Sequence, residues 1–126
     1  MNLVLAVALG GAMGAVSRHF TSGFVMRLLG LSFPFGTLTV NVLGSFIMGF
    51  LVEVMALKFD VSPALRGFMT VGFLGGFTTF STFSLETALL IERGTYALAA
   101  IYVIASVTVS VVALFFGLFL GRVVVA

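Results

Sequence analysis

The chain has 126 residues, 61% of them hydrophobic, with six Lys or Arg against four Asp or Glu and a formal net charge of +2. A water-soluble domain carries about a quarter charged residues, so a chain with 8% belongs in a membrane. It has no Cys, no Trp and one His, which excludes a disulfide framework, thiol chemistry and a His/Cys zinc cluster, and no basic run is present to follow a phosphate backbone, so no nucleic-acid partner is expected.

A bilayer core of roughly 30 Å takes about 20 apolar residues in helix, and four such stretches follow one another. The first, residues 3–29, is interrupted only by Arg18, His19 and Arg27 and ends at the turn Gly30 to Gly36, where Pro34 bars continuation. Residues 3–15 lack a basic segment before them, so they read as part of a spanning helix, not as a cleaved signal peptide. The second span, 37–57, closes at Lys58, Asp60 and the pair Ser62-Pro63, which reads as the N-cap and first position of the next helix. The third, 66–91, carries Gly72, Gly75 and Gly76 ahead of a Thr/Ser/Phe-rich run and is expected to be two half-helices with a break between them. Glu92 to Thr95 make the last turn, and 96–123 is the fourth span. The expectation is an all-α integral membrane protein, one four-helix domain over 1–126.

With the N-terminus on one face, Lys58, Arg66 and Arg122 share it, while Arg27 and Arg93 lie on the other. Three against two is a weak bias for an orientation set by Lys and Arg. It suggests insertion in both orientations and antiparallel pairing of two copies.

Polar groups at membrane depth are costly and therefore informative. Arg18 follows a small-residue run in which Gly10 and Gly14 permit close packing. It reads either as a side chain that snorkels or pairs with a carboxylate, or as the source of a positive field attracting anions. Thr37, Asn41, Ser45 and Gly49 recur every fourth residue on one helical stripe, which serves helix packing or supplies donors able to replace water around an anion. Tyr102, Ser106 and Ser110 repeat the pattern in the fourth span. In the third, Phe80 and Phe83 share one face, with Ser81 and Ser84 on an adjacent one. A Phe stripe can be plain packing, yet an aromatic ring has a positive edge, and edges beside hydroxyls suit a small anion. Unwound carbonyls could likewise form a hard-cation site. Glu53, Glu86 and His19 form no acid-base or metal constellation, so no enzyme is expected.

Three segments carry a more specific signal: Gly11-Ala12-Met13-Gly14-Ala15-Val16-Ser17-Arg18, Gly36-Thr37-Leu38-Thr39-Val40-Asn41, and Gly75-Gly76-Phe77-Thr78-Thr79-Phe80-Ser81-Thr82-Phe83-Ser84. In these the chain resembles the Fluc (CrcB) fluoride channels of prokaryotes over essentially its whole length, differing in Phe77, where a smaller aliphatic residue is also familiar. The resemblance implies a dual-topology homodimer in the cell membrane, with two fluoride pores between the subunits and a structural Na⁺ at the dimer centre. It implies that Phe80 and Phe83 offer ring edges to fluoride, that Asn41, Tyr102 and Ser106 flank the path, and that Ser81, Thr82 and Ser84 form a polar track. It also implies that the carbonyls of Gly75 and Thr78 bind Na⁺. Arg18 and Ser110 complete the candidate ion-pathway residues.

Fluoride is the conjugate base of a weak acid: HF crosses the membrane from an acidic medium and leaves the anion trapped at neutral internal pH. A passive channel then suffices, since an anion leaves a negative interior at about 2.3 kcal/mol per 100 mV. Two rivals exist. A small dual-topology multidrug or cation exporter would need a carboxylate in the first span, which holds Arg18 and no acid; a non-transporting assembly subunit would leave the third span unexplained.

Overall fold

The computed structural model describes residues 2–126, and it is helical throughout, with four helical stretches long and apolar enough to cross a membrane. Helix α1 is Leu3–Leu29. Asn2 caps it, its side-chain oxygen accepting from the Val4 N–H at 2.7 Å. At the other end Gly30, at φ +91°, donates its N–H to the Met26 carbonyl and turns the chain away. That φ lies in the region where a Cβ is strained and Gly is not.

Helix α2 is Phe35–Leu57, two residues longer at its start than the sequence reading, because Pro34 serves as its N-cap, a place where its missing N–H costs nothing. Ser62 and Pro63 behave as read: the Ser62 hydroxyl accepts from the Leu65 N–H at 3.1 Å and Pro63 opens α3, Pro63–Gly67. From there the helix widens into a π-helical stretch, Phe68–Leu74, and continues as α4, Gly75–Phe77. Thr78 (φ −88°, ψ 159°) and Thr79 (φ −152°, ψ 121°) are extended, and α5, Phe80–Glu92, follows. Gly72, Gly75 and Gly76 are thus all helical, and the residues that leave helical geometry are two threonines. Arg93 and Gly94, the latter at φ +78°, make the turn into α6, Tyr96–Val125.

What the glycines do is bring backbones together. α2 and α6 form the most extensive contact in the fold, and α1 lies along the π-helical stretch and α4. A Cβ on Gly10 would meet the Phe68 carbonyl, one on Gly14 the Phe73 carbonyl, and one on Gly76 the Gly11 carbonyl at 2.6 Å. Across the other pair, a Cβ on Gly49 would meet the Leu114 carbonyl and one on Gly117 the Phe46 carbonyl. Surrounding lipid is as apolar as any side chain, so helix association rests on van der Waals contact at this close range, and only Gly permits it.

Away from these seams α6 exposes Ile101, Ile104, Val107, Val111, Phe115 and Phe119, and α1 exposes Leu5, Leu9, Val16, Phe20 and Phe24. One ion pair is present among the described residues, Arg122 Nε donating to Glu53 Oε1 at 2.9 Å, and it ties the end of α6 to α2.

The seams set an expectation for stability. Gly117→Val is expected to lower the thermal midpoint in detergent, by about 1–3 kcal/mol of overpacking or more, because the obstacle is backbone and cannot move aside. Gly23→Ala, at a site with nothing within 4 Å, is expected to hold or raise that midpoint, since Ala exceeds Gly in helix propensity by about 1 kcal/mol. Circular dichroism melts of the two variants check both.

Candidate ion pathway

The two extended threonines leave backbone groups without helical partners, which at membrane depth must be satisfied internally. Asn41 on α2 meets Thr79 with both ends of its amide: Nδ2 donates to the Thr79 carbonyl at 3.0 Å, and Oδ1 accepts the Thr79 N–H at 2.7 Å. The side chain thereby copies a neighbouring strand and holds Thr79 extended. One Nδ2–H is left over. From the other side Arg18 Nε donates to the Gly76 carbonyl at 3.0 Å. Among the described residues Arg18 pairs with no carboxylate; its Nε is bonded to the backbone just before the extended pair. Thr79 also caps α5, its hydroxyl accepting the Thr82 N–H at 3.3 Å and donating to the Thr82 hydroxyl at 3.1 Å.

This arrangement frames a cavity of about 420 Å³ lined by Asn41, Gly44, Ser45, Thr78, Thr79, Phe80, Phe83, Ser106 and Ser110, among others. Residues from α2, the extended pair, α5 and α6 converge there. Phe80 and Phe83 lie with ring centroids 5.4 Å apart at 53°. They differ sharply in burial: Phe83 is 9% exposed and Phe80 76%. Facing them across the cavity lining, Ser106 and Ser110 carry buried hydroxyls with no hydrogen-bond partner. Several helical hydroxyls in this chain fold back onto the preceding turn, Thr70 onto the Arg66 carbonyl, Ser84 onto Phe80 and Thr87 onto Phe83. Ser106 and Ser110 do not. An unsatisfied buried hydroxyl costs about 1–3 kcal/mol, so two of them on one cavity wall need a reason.

A second cavity, about 400 Å³, has Arg18, His19, Ser22, Thr37, Thr79 and Thr82 in its lining and no carboxylate. Thr79 borders both cavities. Tyr102, fully buried, donates its hydroxyl to Glu86 Oε1 at 2.9 Å and packs its ring 5.2 Å from that of Phe83. The sequence-derived candidates thus divide. Asn41, Thr78, Phe80, Phe83, Ser106 and Ser110 share one cavity, Arg18 and Thr82 line the next, and Tyr102 stands between Phe83 and Glu86. Ser81 and Ser84 line neither: both are exposed, and the Ser84 hydroxyl is bonded to the Phe80 carbonyl. Gly75 is exposed as well. Thr79 was missed, although it proves to be the junction; a Thr three residues before Thr82 at the head of a Ser/Thr-rich helix is a recognisable N-cap pattern.

The family model described as CrcB-like protein, Camphor Resistance (CrcB), matches residues 5–118. The chain belongs to the CrcB family. Its relatives include the fluoride-specific ion channel FluC of Chelativorans sp. (strain BNC1), 55% identical over 97% of this chain and 98% of the relative. The FluC proteins of Agrobacterium fabrum (strain C58 / ATCC 33970) and Rhodospirillum centenum (strain ATCC 51521 / SW) are 51% and 52% identical, over 97% and 100% of both chains. As a CrcB protein with four apolar spans and bacterial relatives, the chain is a multi-pass protein of the prokaryotic membrane.

Asn41→Ala removes both bonds to Thr79. It is expected to speed hydrogen exchange at the Thr79 amide by about tenfold to a hundredfold, from ~1–3 kcal/mol of lost stabilisation, with α1 and α6 amides unchanged. Exchange followed by NMR in detergent micelles reads this directly.

Proposed function

We propose that the chain is a fluoride-selective channel giving passive fluoride efflux, and that it works as an antiparallel pair of copies. The observation that carries the reading is the pair of buried, unpartnered hydroxyls of Ser106 and Ser110 in the cavity bounded by Phe80, Phe83 and Asn41. A small, strongly accepting anion supplies what that wall lacks: it takes hydrogen bonds from both hydroxyls and from the spare Nδ2–H of Asn41, while ring edges of Phe80 and Phe83 present their positive rim. Its relatives' name, fluoride-specific ion channel, supports the choice of fluoride.

Selectivity is a difference between two affinities. Chloride is larger and a weaker hydrogen-bond acceptor, so it gains less from the same donors while losing its hydration. No phosphate-binding loop or coupled carboxylate pair is required, because the membrane potential already drives an anion outward. Thr82, whose hydroxyl accepts from Thr79 and keeps its own proton to give, extends the donor set into the second cavity, where Arg18 holds the Gly76 carbonyl.

The paired arrangement rests on three observations. Phe80, a pathway residue, is 76% exposed on a single copy; Lys and Arg are nearly balanced between the two faces; and Thr78-Thr79, a broken third span in this reading, puts polar backbone at membrane depth on an open side of the helix set. A second copy in inverted orientation would cover that side. The chemistry of Gly75 and Thr78 also fits a structural Na⁺ there, since the hydrogen bonds formed outside the helices leave both carbonyls unengaged and hard cations favour carbonyl oxygen.

Purified protein in liposomes loaded with fluoride or chloride, with efflux triggered by valinomycin and followed by ion-selective electrodes, tests the proposal. Rapid fluoride efflux, no chloride efflux and loss of fluoride efflux in Phe80→Ile are expected; absence of fluoride efflux from a well-folded preparation rejects the channel. Replacing Na⁺ by N-methylglucamine is expected to lower dimer stability on size exclusion, and an unchanged elution profile would count against Gly75 and Thr78 as Na⁺ ligands.

A further inference from the structure

A third cavity, about 310 Å³, opens at the end of α5 and is lined by Met26, Leu31, Ser32, Pro34, Glu86, Leu89, Leu90 and Arg93. It holds one carboxylate and one guanidinium, of which only the carboxylate has a partner: Glu86 accepts the Tyr102 hydroxyl. Among the described residues the side chain of Arg93 has neither an ion pair nor a hydrogen bond, whereas Arg122 is bound to Glu53 and Arg18 to the Gly76 carbonyl.

Arg93 follows Glu86 by seven residues, so it lies on nearly the same face of the helix, about 10 Å further along its axis. Glu86 is the deeper of the two and half-buried; Arg93 caps the helix and is exposed. Through Tyr102, whose ring touches Phe83, the inner end of this cavity abuts the aromatic part of the pathway. An anion reaching that end passes a carboxylate, which repels it. An always-protonated guanidinium at the rim opposes the charge of Glu86 and of the neighbouring exposed Glu92 where the anion arrives.

We infer that Arg93 is the anion-gathering residue at one mouth of the pathway, drawing fluoride into the cavity against the charge of Glu86. An Arg at this position can also serve only to complement the carbonyl end of α5, and the two roles differ in their dependence on salt. A helix-end contact acts at short range, whereas steering acts over the Debye length, about 30 Å at 0.01 M and 3 Å at 1 M ionic strength.

This inference rests on the channel reading, and one experiment separates the two. Fluoride efflux from liposomes is measured for wild type, Arg93→Gln and Arg93→Lys at ~0.01 M and ~1 M ionic strength, the salt being that of an impermeant anion. Expected is about a tenfold slowing of Arg93→Gln at low ionic strength, convergence with wild type at high ionic strength, and wild-type efflux in Arg93→Lys. A wild-type protein without fluoride efflux rejects the channel itself. A conducting wild type with an unaffected Arg93→Gln, with slowing that is equal at both ionic strengths, or with no rescue by Lys, overturns the role assigned to Arg93.

Discussion

Everything distinctive in this fold follows from placing two extended residues, Thr78 and Thr79, inside a stretch of apolar helix. Lipid offers no hydrogen bonds, so each backbone group released there must be met by protein. Asn41 meets the amide and carbonyl of Thr79 at once, Arg18 meets the carbonyl of Gly76, and the Thr79 hydroxyl meets the first turn of α5. Three polar side chains that would be expensive anywhere else in the membrane become compulsory here. Their positions in turn dictate which faces of α1 and α2 look inward.

Holding those side chains within hydrogen-bonding range requires the helices to stand unusually close. Gly10, Gly14 and Gly76 let α1 lie directly against the backbone of the third span, and Gly49 and Gly117 do the same for α2 and α6. The π-helical stretch Phe68–Leu74 sits in the first of these seams. The widened turn belongs to the segment leading into Thr78, a position where such stretches are frequently found near functional sites. Packing and polarity are therefore one design: close backbones bring Arg18 and Asn41 to the carbonyls that need them.

The same polar economy leaves a surplus. Ser84 and Thr87 hand their hydroxyls to carbonyls of their own helix, while Ser106 and Ser110 keep theirs free toward the cavity. Beside them stand Phe80 and Phe83, whose rings exclude water without contributing acceptors. Two free hydroxyl protons beside aromatic ring edges are groups that a compact anion can use.

Much of this was legible in the residues alone. Composition determined the membrane as solvent, and run length bounded the four spans, of which 3–29 was placed as found; Ser62-Pro63 opens a helix as read, and α2 begins two residues early because Pro34 can serve as its N-cap. Periodicity of four put Asn41 on one stripe and Ser106 and Ser110 on another, since a helical face is a local property of the chain. What no local rule could supply was the partner of each polar group. The glycines of the third span and the Thr/Ser/Phe run after them pointed to a break without fixing its residues; the extended ones are Thr78 and Thr79, and Asn41, 38 residues away, takes the Thr79 backbone. Arg18 could not be assigned to a carboxylate, a lipid interface or a carbonyl until tertiary packing set it beside Gly76, nor could Ser84 be told from Ser106 by residue type. The sequence determines which groups are costly in a bilayer; only the tertiary structure decides which of them are satisfied, because satisfaction is a matter of distances between segments that the chain order leaves free.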